Sequence, residues 1–216
     1  AGFIGSHLAE ELVRRGHQVR VADSLVTGKR SNLDHIRDIE FLEGDLSDLA
    51  FARHAAAGCE YVLHQAALPS VPRSVADPLT SNKANVDATL NMLIAARDAH
   101  VRRLVFAGSS SAYGDTPTLP KHEAMPTNPQ SPYALQKIIG EQYLQLFTRL
   151  YGLETVTIRY FNVFGPRQDP SSPYAGKLVG IANGQVVIVA GCHAFVGRVE
   201  RPYPPRFHRG SKATCR

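Results

Sequence analysis

Apolar positions along the chain switch repeatedly between two spacings. Leu8, Leu12 and Val13 recur at helical intervals over Ser6–Arg15, and Gly16-His17 ends that run. Gln18–Ala22 then reads as a strand, with Ile39–Leu42 and Glu60–His64 as two further short ones. Val86, Leu90, Leu93 and Ile94 place a helix over Asn85–Ala99, and Arg103–Ala107 is the strand that follows. Pro132–Tyr151 is the longest helical pattern, and Thr155–Tyr160 is the strand after it. Strands alternating with helices predict an α/β fold with a Rossmann-like, doubly wound parallel sheet.

Two places break the alternation. The chain opens on a glycine turn with no strand before it, so the first strand of the sheet is expected to be missing. After about Gly176 the pattern degrades: Ile181–Ala190 has strand character, but Arg201–Arg216 is Pro/Arg-rich and without period.

Charge changes the picture at the same point. The net charge is +5, yet residues 1–175 hold 17 Lys/Arg against 18 Asp/Glu. Residues 176–216 hold seven basic residues against Glu200 alone. The basicity therefore belongs to the tail, whereas a nucleic-acid surface is expected within the folded domain. No nucleic-acid partner is expected. No apolar run reaches the roughly 18 residues of a membrane span. Acidic Glu10 and Glu11 precede any Lys or Arg, unlike a secretory signal. Cys59, Cys192 and Cys215 form neither a disulfide framework nor a CxxC pair, so a reducing cytoplasmic setting is the default. The nine histidines show no HExxH spacing, and no metal is expected.

Two constellations carry chemistry. Gly2-Phe3-Ile4-Gly5 opens the first helix, where glycines admit a pyrophosphate onto the helix N-terminus. Asp23 closes the next strand, placed to accept hydrogen bonds from an adenosine ribose. An acid there favours NAD over NADP, because a 2′-phosphate would meet like charge. The fingerprint's remaining glycine would fall three residues before Gly2, beyond the start of the chain. The second constellation is Tyr133 and Lys137, four apart near the start of the long helix and so on one face. They follow a strand running into Ser109-Ser110-Ser111 at the carboxyl edge, the usual ligand crevice of such sheets. A free phenol titrates near 10, so a phenolate base at pH 7 needs about 4 kcal/mol of preferential stabilisation. A neighbouring ammonium and the positive nicotinamide can together supply it.

With these residues in view, the chain resembles the extended short-chain dehydrogenase/reductase family, and within it the UDP-hexose 4-epimerases. The matching stretches run in order: Gly2–His7, Glu43-Gly44-Asp45, His64–Ala67, Ser70–Ser74, Asn85-Val86, Ser109–Gly114, Ser131–Lys137 and Arg159–Gly165. The resemblance implies Ser109, Tyr133 and Lys137 as the catalytic trio. It implies Phe3 and Ile4 at the pyrophosphate, Asp23 at the ribose and Asp45 and Leu46 at the adenine. Gln65, Ala66, Ala67, Asn85 and Phe161 would line the NAD cofactor. Ser110, Asn162 and Arg73 would face a UDP-sugar substrate. The implied reaction is transient oxidation at C4 followed by return to the opposite face.

The resemblance divides the chain into an N-terminally truncated NAD-binding domain over 1–165, the start of a substrate domain over 166–175, and an atypical basic tail over 176–216, poorly ordered or foreign to the fold. It implies weak or absent turnover for this exact polypeptide, and a homodimer as in relatives. Related 4,6-dehydratases place Asp-Glu after the catalytic hydroxyl, where Ser110 and Ser111 stand here, so elimination lacks its proton carriers. UDP-glucuronate decarboxylase or 4-epimerase chemistry shares the core motifs. A non-catalytic NAD-binding module is a further alternative, against which the intact trio counts. So is a basic interaction protein driven by the tail.

Overall fold

The computed structural model describes residues 1–169 and the backbone of the short strand Ala194–Phe195. The expected strand over Ile181–Ala190 and the basic tail lie outside the described residues.

Helix α1 (Phe3–Arg14) starts earlier than its apolar spacing predicts, because Gly2 in an extended conformation serves as its N-cap. It leads to β1 (Val19–Asp23), which pairs in parallel with β2 (Ile39–Glu43). Helix α2 (Leu49–Ala56) was not expected. Asp48 caps it by accepting from the Ala50 N–H, but its Ala-rich sequence carries too little periodicity over eight residues. Strand β3 (Tyr61–His64) follows, then two short helices also absent from the sequence reading, α3 (Val71–Ala76) and α4 (Pro78–Asn82).

The expected Asn85–Ala99 helix is two pieces. Lys83–Asp87 is a π-type turn, and α5 (Ala88–Asp98) continues from it. Strand β4 (Arg103–Ser109), helix α6 (Pro132–Tyr151) and strand β5 (Glu154–Tyr160) fall where the pattern puts them. Ser131 caps α6 by accepting from the Ala134 N–H, and Pro132 takes the first helical position.

The sheet is Rossmann-like and lies in two parts. One is β1-β2, and the other is β3-β4-β5 with β6 (Ala194–Phe195) added antiparallel at its edge. The β3–β4 and β4–β5 pairs are parallel. Strands β1 and β3 face one another across a cleft and are not hydrogen-bonded together. No helix among the described residues is long and apolar enough to cross a membrane.

The main core lies between α5, β4 and α6, where Leu93, Leu104, Phe106, Leu144 and Phe147 close together. A second cluster joins α2 to α5 through Ala52, Ala55, Ala56, Met92 and Ala95. Small side chains let those two helices approach closely.

One polar chain crosses the apolar interior. His64, 3% exposed, stacks on Phe106 with ring centroids 5.8 Å apart, and its Nε2 lies 3.0 Å from the Thr89 hydroxyl. That hydroxyl already donates to the Asn85 carbonyl at 2.6 Å, so it must accept from His64. Nε2 of His64 therefore carries a proton, and burial disfavours a second one on Nδ1, so the ring is neutral at pH 7.

Burial, and secondarily the charge of Lys137, lowers the His64 pKa to about 3. The folded value lies below the unfolded one near 6.5, so this stability is fully present above about 6.5 and is lost as pH falls towards 3. Between pH 7 and 5 the wild type should lose about 2 kcal/mol more than a His64→Gln variant. Urea unfolding at the two pH values checks this; identical pH dependence in both proteins would contradict it.

Candidate active site

One large cleft of about 2270 Å³ follows the whole gap between β1 and β3, from Gln18 and Glu60 at their amino ends to Asp23 and Gln65 at their carboxyl ends. It runs from the start of α1 past the β1 and β3 edges to the first turns of α6. Gly2, Phe3, Ile4, Gly5, Asp23, Leu46, Gln65, Ala66 and Ala67 all line it. So do Arg73, Ser109, Ser110, Tyr133, Lys137, Phe161 and Asn162, which lie dozens of residues away in sequence. Of the predicted site residues, Asp45 and Asn85 do not.

At the α1 end, Gly2 supplies no side-chain cap, and the first turn of the helix holds no acid. The helix itself leaves the N–H groups of Phe3, Ile4 and Gly5 without intrahelical partners. A Cβ added at Gly2 or Gly5 would meet no atom within 4 Å, so open space lies beside these donors. Packing does not demand glycine at either position, whereas a pyrophosphate seated on the turn would. Asp23 lies at the same end. Its Oδ2 accepts from the Ala1 nitrogen at 2.8 Å and its Oδ1 from the Leu25 N–H at 2.7 Å. Each carboxylate oxygen has a second lone pair, so the group can still accept from a ribose. These features fit a dinucleotide.

At the α6 end, Lys137 is 3% exposed. Its Nζ donates to the Ala107 carbonyl at 2.9 Å and lies 4.8 Å from the Phe106 ring centre and 5.9 Å from that of Tyr133. Burial lowers its pKa to about 8, and the nearby Glu141 carboxylate opposes the shift. Lys137 is thus predominantly cationic at pH 7. The start of α6 is tied down by Ser74 of α3, whose Oγ accepts from the Tyr133 backbone N–H at 3.1 Å.

Ser109 ends β4 and caps the short 3₁₀ turn Ser110–Tyr113. Its Oγ accepts from the Ser111 N–H at 3.2 Å and from the Ser111 hydroxyl at 2.8 Å. With both lone pairs used, the Ser109 hydroxyl keeps only its proton to offer to the cleft.

Asp45 is exposed, and its carboxylate accepts from the Ser47 N–H at 2.9 Å, which shapes the turn rather than the cleft. Asn85 is 1% exposed. Its Oδ1 accepts from the Leu68 N–H at 2.8 Å, and its Nδ2 donates to Gln136 Oε1 at 2.8 Å and lies 3.3 Å from Ser81 Oγ. The amide reaches the cleft through the 65–68 loop that it holds, not by contact.

Sequence reading missed several supports. Glu141 stands one turn beyond Lys137 on the same stripe, a polar residue on a buried face, and that spacing was a usable signal. Arg167 bonds Glu10 and His7 and lies 3.2 Å from His35 Nε2, pinning the 161–168 loop to α1. Nothing local announces that contact, because its partners are more than 130 positions away.

Comparison with known proteins shows the family and the fold. The family described as "NAD dependent epimerase/dehydratase family" matches residues 1–203, past Gly165 where the last matching stretch in the sequence ends. A UDP-glucose 4-epimerase from Mycolicibacterium smegmatis is 42% identical over 175 residues, 79% of this chain and 56% of that protein. A UDP-N-acetylglucosamine 4-epimerase from Methanobrevibacter ruminantium, solved with UDP-N-acetylmuramic acid, superposes with a TM-score of 0.76 at 44% identity, covering 81% of this chain and 56% of that one. A Thermus thermophilus UDP-glucose 4-epimerase solved with NAD gives 0.77 at 42% identity, covering 81% and 57%. The chain thus spans little more than half the length of the relatives it matches.

Replacing Asn85 by alanine leaves the Leu68 N–H without its acceptor and Gln136 Oε1 without one of its two donors. We expect Asn85→Ala to cost about 1–3 kcal/mol. A lowered urea midpoint with unchanged slope is the expected result, and an unchanged midpoint would refute it.

Proposed function

The chain belongs to the NAD dependent epimerase/dehydratase family, and on that footing we propose that it is a nucleotide-sugar 4-epimerase for a UDP-hexose or UDP-N-acetylhexosamine. One observation carries the reading. Ser109, Tyr133 and a buried cationic Lys137 line the same cleft as the open α1 N-terminus and Asp23.

Bound along α1, NAD supplies a reversible two-electron acceptor for the sugar C4. Asp23 holds the adenosine ribose, and the Phe3, Ile4 and Gly5 N–H groups hold the pyrophosphate. Tyr133 takes the proton of the C4 hydroxyl and later returns it. The Lys137 ammonium favours the phenolate that this role requires, since an opposite charge nearby lowers an acid's pKa. Ser109 donates its hydroxyl proton to the C4 oxygen and fixes that oxygen in line with Tyr133. Ser111 is engaged in orienting Ser109. Ser110 and Ser111 offer hydroxyls, not carboxylates, where elimination at C5 and C6 would need proton carriers. The family's dehydratase branch therefore fits less well. Arg73 and Asn162 are assigned to the substrate's sugar and phosphate, Phe161 to the nicotinamide wall, and Gln65, Ala66 and Ala67 to the cofactor's flank.

The test incubates the protein with NAD and UDP-glucose or UDP-N-acetylglucosamine and follows the C4 epimer by proton NMR over long times, so that slow conversion is still read. Tyr133→Phe should lower the rate by roughly 10²–10⁴-fold while NAD affinity stays within a few-fold. Equal rates in the two proteins, or no NAD binding, would overturn the reading.

A further inference from the structure

The buried face of α6 carries one charged group that the proposed chemistry does not use. Glu141 stands one turn beyond Lys137 and two beyond Tyr133, and it is 6% exposed. Arg159 of β5 grips its carboxylate in two places, Nε to Oε1 at 2.9 Å and Nη2 to Oε2 at 2.7 Å. The carboxylate lies on bare backbone: a Cβ at Gly108 would stand 3.0 Å from Oε1, and Gly108 is the register partner of Arg159. One residue earlier on β4, the Ala107 carbonyl takes the Lys137 ammonium. Adjacent residues of one strand thus carry the anion and the cation.

Such a pair needs a reason beyond stability, because an apolar pair of similar volume often serves a fold as well or better. The surroundings of Lys137 supply one. Strand β3 brings His64, which is neutral. Helix α6 brings Tyr133 and Glu141. Strand β5 brings Arg159, whose charge is matched by Glu141, and the 3₁₀ turn brings Tyr113, whose ring lies 4.7 Å from the Arg159 guanidinium. Among these groups Glu141 is the one standing anion. A lysine buried with no such partner can fall to a pKa of about 5–6, and at pH 7 it would then be an uncharged amine with no field to offer Tyr133.

We propose that Glu141, clamped by Arg159, is a positioning residue that keeps Lys137 protonated beside Tyr133 and so sets the upper pH limit of the catalytic trio. The inference rests on the proton-transfer role proposed for Tyr133 and Lys137. Arg159 acts one step further back. Its bidentate grip keeps the carboxylate on β4 instead of letting it turn towards solvent. Gly108 is required in the same arrangement, since any side chain there would also stand 2.8 Å from Thr157 Cγ2.

The test reads Lys137 directly, in the ligand-free protein, from the pH titration of its ¹³Cε resonance, assigned by its disappearance in Lys137→Arg. The wild-type midpoint should lie above pH 7. Glu141→Gln, which keeps shape and one acceptor for Arg159, should lower it by about one unit, a tenfold loss of proton affinity. Glu141→Asp, which keeps the charge, should restore most of the shift. In turnover, the alkaline limb of the kcat/KM profile should move to lower pH by the same amount in Glu141→Gln. A purely structural ion pair would change the unfolding midpoint and leave the Lys137 titration in place. A wild-type midpoint below pH 7, or equal midpoints in wild type and Glu141→Gln, overturns the proposal. Because the titration needs neither cofactor nor substrate, its result stands apart from that of the epimerisation assay.

Discussion

The dry ammonium of Lys137 constrains more of this structure than any other group. An amine removed from water keeps its charge only if its donors are met and an anion stands near. Its bond to the Ala107 carbonyl and its seat on the Phe106 ring require α6 to lie within side-chain reach of β4. Gly140 makes that approach possible: a Cβ there would come within 2.7 Å of the Phe106 ring. Alanine would serve the helix better by about 1 kcal/mol, yet it would push α6 off the strand. The core of Leu93, Leu104, Phe106, Leu144 and Phe147 sets the depth of α6, and that depth fixes where Tyr133 emerges into the cleft.

The same helix organises the other half of the cleft through the residue before Lys137. Gln136 accepts from Ser81 at 2.8 Å and from Asn85 at 2.8 Å. Asn85 then holds the backbone of Leu68, at the end of the loop that contributes Gln65, Ala66 and Ala67. The π-type turn at Lys83–Asp87 carries Asn85 into this network at the start of the α5 pattern. The 65–68 loop and the start of α6 are thereby linked through one hydrogen-bonded chain.

The parts that were legible in the sequence had strong local signals. Helix α6 has a Ser-Pro start and twenty residues of pattern, and β4 and β5 are runs of apolar residues, so all three were placed with small errors. That Tyr133, Lys137 and the serines line the cleft followed from position on those elements, whereas the choice of Ser109 among the serines came from the family resemblance. Helices α3 and α4 are too short for their periodicity to count. The family resemblance puts Asn85 beside the cofactor, and its place in the sequence gives no hint of which way it faces. Its amide is consumed by three interior partners, a fact of tertiary packing alone. The ion-pair partners of Arg159 and Arg167 were not legible in the sequence, since the carboxylates that receive them come from α6 and α1.

The neutrality of His64 completes the electrostatic logic. A second cation at that depth would repel Lys137 and cancel the help that Glu141 gives, and the coupling runs both ways, since Lys137 itself depresses the imidazole's proton affinity. Accepting the Thr89–Asn85 chain as its tether lets His64 donate one hydrogen bond without charging. A hydrogen-bonded neutral ring is therefore compatible with this cavity where a lysine or arginine is not. Burial makes Lys137 easy to neutralise, and what prevents that is the company it keeps: uncharged on the β3 side, anionic one turn along its own helix.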